Sequence, residues 1–396
     1  MPNNIRELSE KYFSKMVTIR RHLHEHPELS FHEFETTDYI VEHLKELGYE
    51  VMRPLETGCV AVLEGGRPSD RVIALRADID ALPILEDGEA KKEFISKNEG
   101  VAHCCGHDIH TANLLGTAHI LSELKSEITG KVVLIFQAGE ERIPGGGRLL
   151  CETGLLQKLG VQEIYGLHTY PFLDAGQIGV RTGPFMARPD EFDIVVKGKG
   201  GHAAIPHAAI DPVVVAAQIV VNIQTIVSRN IDPTEPAVVT VGRLSGGTIH
   251  NVIPDTAIIK GTVRTFRDVT AEYISGRLKA IVEHTALAAG AIGEFTFNQG
   301  YPAVINTDWA VENIRINAIR HLGAESVVDL PKPSMAGEDF AFYLKQFPGA
   351  FFFLGSGSDE KDARYPWHHP RYNVEEKCML TGSTLLASLA LAERTA

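Results

Sequence analysis

KVVLIFQAGEE, residues 131–141, decides the architecture. After the lysine comes an unbroken apolar run, as expected of a strand buried on both faces, and strands of that kind belong to parallel sheets covered by helices. The run passes through a short turn into two adjacent carboxylates, Glu140 and Glu141. On its N-terminal side the spacing predicts a helix over 110–125 and strands over 59–64 and 72–77. On its C-terminal side it predicts a helix over 148–159 and a strand over 163–168, EIYGLH. Strands alternating with helices imply βαβ units around a mostly parallel sheet with helices on both faces. Residues 5–24 and 33–47 add two amphipathic helices, the second closed by Gly48.

From about residue 190 the order of elements changes. A strand (191–197), helix (211–227), two strands (237–244 and 256–265), helix (270–289) and strand (293–298) spell β-α-β-β-α-β, the pattern of a ferredoxin-like layer. Helices at 307–322 and 338–346, a strand at 350–354 and a helix at 375–392 then restore the earlier pattern. The expectation is an α/β domain, residues 1–184 and 298–396, interrupted by an α+β domain, residues 185–297. A length of 396 residues agrees with more than one domain.

Hydrophobic residues make up 44% of the chain and charged ones 22%, an ordinary globular composition. Net charge is −13, and no basic run offers a footprint for nucleic acid or an anionic membrane. Five cysteines, an odd and sparse set, point to a reducing cytoplasm rather than a disulfide scaffold. No export signal is read at the N-terminus. The most apolar stretch, 212–227, is interrupted by Gln218, Asn222 and Gln224, so no membrane span is expected.

The 17 histidines fall in groups, and the groups lie near expected strand ends, where α/β sheets gather their chemistry. Strand 72–77 runs into Asp78 and Asp80, strand 131–136 into Glu140 and Glu141, and strand 163–167 ends at His168. Each acid alone could be a helix cap or a solvated loop residue; three strand ends together favour a site. In HCCGHD, Cys105 and His107 stand two apart, a thiolate and an imidazole suited to zinc, while carboxylates nearby suit manganese, which leaves the metal open. A cysteine nucleophile is the chemical alternative. The surrounding carboxylates disfavour it, because a thiolate nucleophile wants positive neighbours. The Glu140–Glu141 pair makes sense if one residue coordinates and the other takes a proton from water whose pKa a metal lowers from about 15.7 to roughly 7. RYPWHHPRY supplies His368 and His369 on a loop stiffened by proline. The interrupting domain contributes His202 in GKGGHAAIPH, Asn251 in HNVIPD and Arg264 in GTVR, a set suited to an oxyanion and a carboxylate, although each could be a turn or surface residue.

Taken in order, RADIDALP, HCCGHD, the acidic pair, GLH, GKGGHAAIPH, HNVIPD, GTVR, GEDF and HHP resemble the metal-dependent amidohydrolases of the aminoacylase-type metallopeptidase superfamily: hippurate hydrolase, the plant indole-acetyl-amino-acid hydrolases and bacterial N-acyl-amino-acid deacylases and carboxypeptidases. The resemblance runs from about residue 20 to 375. It implies two divalent metal ions per subunit, zinc, manganese, nickel or cobalt, held by Cys105, His107, Glu141, His168 and His368. His368 is preferred over His369 because in relatives the ligand precedes the proline by two positions. Glu140 is implied as general base, and Asp78 and Asp80 as groups that orient ligands. The implied reaction is amide hydrolysis of a small N-acyl amino acid, hippurate-like or N-acetyl, with His202 stabilising the oxyanion and Asn251 and Arg264 holding the substrate carboxylate. A carboxypeptidase or dipeptidase using the same site is the alternative. The resemblance also implies a homodimer or higher homo-oligomer through the interrupting domain, with His202 acting within its own subunit or across to its partner. Ala138-Gly139 stands where relatives have Pro-Ala, and the expectation is a looser loop before the acidic pair.

Overall fold

The computed structural model describes residues 5–88 and 91–392. The chain divides into two compact units, one built from Met1–Phe185, Ile305–Pro333 and Asp339–Ala396, the other from Met186–Val304 and Ser334–Glu338.

In the first unit an eight-stranded sheet runs in the order Glu50–Met52, Cys59–Glu64, Thr129–Gln137, Arg67–Asp78, Glu163–Asp174, Gly349–Gly357, Ile178–Val180, Val327–Asp329. Its four central strands, from Thr129–Gln137 to Gly349–Gly357, are mutually parallel. Antiparallel pairings flank them, so the fold is mixed α/β with a mostly parallel centre. The two faces of Glu163–Asp174 show how the sheet is covered. Tyr165 and Leu167 join the core built with helices Ile5–Glu25, His107–Glu123 and Cys378–Leu391. On the opposite face, a Cβ at Gly166 would meet the rings of Phe340 and Phe351 at 2.8 Å.

Several elements differ from the sequence expectation. The helix expected from 110 begins at His107, and every residue from there to Leu121 is buried, so no polar stripe marks its start. The helix expected over 148–159 is two, Gly146–Glu152 and Leu155–Lys158, separated at Gly154 with φ 67°. The helix expected over 338–346 shrinks to Ala341–Leu344. Strand Cys59–Glu64 pairs antiparallel, and the three-residue strands Glu50–Met52, Ile178–Val180 and Val327–Asp329 are too short to leave a periodic signal.

In the second unit, strand Arg188–Lys197, helix Pro212–Ile223, strands Val238–Gly246 and Thr256–Thr265, helix Asp268–Ala288 and strand Ile292–Asn298 follow one another. The four strands form an antiparallel sheet in the spatial order second, third, first, fourth. Asp211 caps the first helix by accepting from Val213 N–H at 2.9 Å, with Pro212 at its first position. The segment Pro212–Asn230 is long and apolar enough to cross a membrane by length and composition. Val215, Ala216, Ile219, Ile223 and Ile226 nonetheless pack in the core of this unit.

Candidate metal centre

Register places the expected residues of the first unit along one sheet edge. Asp78 pairs with Gln137, Arg76 with Gly166, and His168 with Phe353, so Asp78 and His168 stand level at the carboxyl end of the parallel strands. Asp80, Glu140 and Glu141 follow within a few residues of those ends. Cys105 and His107 arrive at the start of helix His107–Glu123. Its N-cap, Gly106, has φ 90°, and a Cβ there would lie 2.5 Å from Thr169 Oγ1 and 2.8 Å from Tyr372 Oη, so glycine is required. His368, with φ 63°, is tied back by donating its N–H to the Cys104 carbonyl at 2.8 Å.

Their side chains converge. Cys105 Sγ lies 3.3 Å from His168 Nε2, and His368 Nε2 lies 3.1 Å from Glu141 Oε1. Cys105 with His107 and His168, Cys105 with Glu141 and His368, and His107 with Glu140 and Glu141 each bring their donor atoms within 4.8 Å. The second nitrogens fix the tautomers. His107 Nδ1 donates to Asp80 Oδ1 at 3.0 Å and His168 Nδ1 donates to the Thr169 carbonyl at 2.8 Å, so both rings turn Nε2 toward the other donors. His107 Nε2 is buried without a hydrogen-bond partner. His369 turns elsewhere, stacking on Tyr365 at 4.6 Å.

The charge balance asks for a cation. Burial works against ionising Asp78 and Asp80, but His107 outweighs it, with Arg76 and His110 at Asp78, and both carboxyls stay below their usual range. Burial alone would lower His107; Asp78, Asp80 and Glu141 reverse that and raise it to about 10. Burial, Glu141, Glu140 and Asp78 push the Cys105 thiol well up, so the protein by itself does not make a thiolate there. Four carboxylates, two imidazoles turned by their partners to present Nε2, an orphaned buried nitrogen and a thiol that only added positive charge would ionise fit divalent metal ions.

Two residues at the centre, Arg76 and Asp339, have no role in the sequence expectation, and a third, His110, belongs to the histidine group around His107. His110 lies close enough to be mistaken for a ligand, but Nδ1 donates to Asp78 at 2.6 Å while Nε2 accepts the Thr169 N–H at 2.9 Å, which leaves no lone pair. Arg76, 1% exposed, donates to Asp78 at 2.7 Å, to Asp339 at 2.8 Å and to Gln137 at 2.9 Å. The Asp339 N–H in turn donates to Glu140 Oε1 at 3.3 Å. Only the GEDF motif hinted at Asp339. The turn before the acidic pair is not loosened by Ala138-Gly139: the Gly139 N–H donates to the Glu33 carboxylate at 2.8 Å. Burial, together with the Asp80 charge, raises Glu33 to about 7.

In the second unit, His202 lies on the short strand Gly201–His202 opposite Val252, and its Nδ1 accepts the Ala204 N–H at 3.1 Å. The Asn251 carbonyl accepts from Ala203 at 3.1 Å, so His202 and Asn251 are neighbours. Arg264 lies on strand Thr256–Thr265, level with Pro189. It sits eight residues along its strand from Thr256, the position level with Lys197, a separation of about 27 Å at the usual rise.

The chain is similar to known proteins. The description of peptidase family M20/M25/M40 matches residues 74–392. N-acetyl-L-cysteine deacetylase of Bacillus subtilis is 42% identical over 374 residues, 94% of this chain and 86% of that one. Thermostable carboxypeptidase 1 of Saccharolobus solfataricus is 36% identical, covering 99% and 97%. The crystal structure of Bacillus subtilis YXEP protein, a dinuclear metal binding peptidase, superposes with a TM-score of 0.83 at 38% identity, covering 96% of this chain and 98% of that one. The chain is a member of peptidase family M20/M25/M40.

Proposed function

We propose that the protein is a metal-dependent hydrolase that cleaves the amide bond of small N-acyl amino acids, hippurate-like or N-acetyl, with Cys105, His107, Glu141, His168 and His368 holding two divalent ions. The observation that carries this reading is the buried His107 Nε2, without a hydrogen bond yet 3.7 Å from Asp78 and 3.9 Å from Glu141, oriented by Asp80 into a group of thiol, imidazole and carboxylate donors. Mixed donors suit zinc, manganese, nickel or cobalt. When bound, such ions polarise a carbonyl and acidify water. Glu140 is the proton carrier, taking a proton from the attacking water and returning it to the leaving nitrogen; the Asp339 N–H steadies its carboxylate.

His202 stabilises the oxyanion, while Asn251 and Arg264 hold the substrate carboxylate. A separation of about 27 Å lies along the strand between Arg264 and Thr256, four residues after the Val252 that pairs with His202. It supports a homodimer or higher homo-oligomer, joined through that unit as a lid, in which His202 serves the partner subunit. Five buried, unpaired cysteines fit a cytoplasmic location.

The test is a panel of hippurate, N-acetyl amino acids and dipeptides with wild-type protein and Glu140→Gln. Faster turnover of acyl amino acids than of dipeptides supports the reading, and the reverse order favours a carboxypeptidase or dipeptidase at the same site. Glu140→Gln should lose about 10²–10⁴ in kcat with metal content unchanged. Retained activity would remove Glu140 from its role.

A further inference from the structure

We propose that Glu33 is a positioning residue for the reaction: its carboxylate and the ring of Phe31 hold the Gly139–Glu141 turn in the conformation that aims Glu140 and Glu141 at the metal centre. The inference rests on the reading of those two glutamates as proton carrier and ligand.

Glu33 is completely buried, and each of its oxygens has a donor: Gly139 N–H to Oε1 and Thr57 Oγ1 to Oε2, both at 2.8 Å. Its place in the chain suggests a different employment. Glu33 is the N-cap of helix Phe34–Glu46, where an acidic side chain ordinarily accepts from the first-turn amides, yet it makes no capping bond. Glu28 does that instead, accepting from Glu35 N–H at 3.2 Å and Thr36 N–H at 2.8 Å. Glu33 is thereby released from the helix and points into the catalytic turn. A carboxylate is costly to bury unless it is fully hydrogen-bonded, and a helix needing only a cap would not bury one.

Phe31 supplies the second support. It has φ 65°, a conformation that bulky residues rarely adopt and that persists where surrounding structure enforces it. Its ring occupies the place of the side chain Gly139 lacks: a Cβ there would lie 2.3 Å from Phe31 Cε1. Gly139 has φ 62°, its carbonyl accepts from Gly146 at 3.0 Å, and the Glu141 N–H donates to Asp80 at 3.0 Å. With the Glu33 bond these contacts fix the backbone on both sides of Glu140. Glu33 and Phe31 hold this turn from outside the metal centre.

The test compares Glu33→Ala, Glu33→Asp and Glu33→Gln, with Glu28→Ala as a helix control, all in the full-length protein. Three readouts are taken: metal bound per chain, hydrogen exchange of the segment 137–146, and kcat and KM on N-acetyl-methionine and hippurate. Gln keeps an acceptor for Gly139 and should retain most of kcat. Ala, and Asp whose shorter arm falls short of the amide, should speed exchange in 137–146 and lose about 100-fold in kcat with little change in KM. Glu28→Ala should do neither. Unchanged exchange and kcat in Glu33→Asp, equal loss in the Gln and Asp variants, or the same loss in Glu28→Ala each overturns the proposal, and the Asp and Gln pair decides it even if Glu33→Ala does not fold. If Glu140→Gln proves active, the proton-carrier reading falls, and exchange of 137–146, which depends on no activity, still decides whether Glu33 holds the turn.

Discussion

At the scale of single residues, the metal centre depends on groups that touch no ion. Asp80 divides its two oxygens between His107 Nδ1 on one side and Ser30 Oγ and the Glu141 N–H on the other, so it sets both a tautomer and a backbone position. Replacing Asp80 by Ala should weaken metal affinity about 10–100-fold, read by competition with a chelating dye. Unaltered affinity would mean the imidazole is held by packing alone. The donors themselves were legible in the sequence because thiol, imidazole and carboxylate are scarce and cluster at strand ends. Their helpers were not. Arg76 and Asp339 are 263 residues apart, and nothing local in either announces the other. His110 shows the opposite failing: in sequence it is one more histidine of a metal-rich motif, and only its two engaged nitrogens exclude it.

Elements carry a different kind of information. Helix Phe34–Glu46 takes its cap from Glu28, a residue before its start, so Glu28→Ala should cost about 1 kcal/mol in denaturant unfolding. Metal content should not change. Stability equal to wild type would show that another group caps those amides. Amphipathic elements were readable, as helix Ile5–Glu25 with its buried Met16, Ile19 and Leu23 illustrates. Strand Glu163–Asp174 runs six residues past its expected end at His168, because Pro171 breaks the strand signal there. Helix His107–Glu123 starts three residues before its expected position because its first turn holds metal-centre and network residues in place of a hydrophobic stripe. Function had overwritten the pattern by which helices are recognised.

For the molecule as a whole, acid and metal are the levers. Burial pushes the Glu86 carboxyl up, but His24 and Lys91 outweigh it and bring it down to about 2. A carboxyl whose pKa is depressed in the fold contributes stability that is present above its unfolded value, near 4.5, and lost as pH falls through about 2. Glu86→Gln should therefore flatten the decline of melting temperature between those pH values. A parallel, undiminished decline would place acid sensitivity elsewhere. Metal acts in the other direction: saturating manganese or zinc at about 100 times Kd should add roughly 2.7 kcal/mol, seen as a rise in melting temperature reversed by chelation. The change in element order near residue 190 was visible in the sequence. Nothing in it marks Ser334–Glu338, a short unpatterned segment, as belonging with the second unit.

The contact between His368 and Glu141 joins residues 227 positions apart, and the strand Gly349–Gly357 enters the centre of the sheet from the same late stretch of chain. During synthesis, therefore, the second unit emerges nearly whole and in one piece, able to fold as it leaves the ribosome, while strand Glu163–Asp174 must wait with one row of amides and carbonyls unpaired. A message broken before the codon for residue 349 would yield a chain with a finished insert and an adhesive sheet edge. Such fragments are expected to be substrates for chaperones and proteases rather than dormant enzyme.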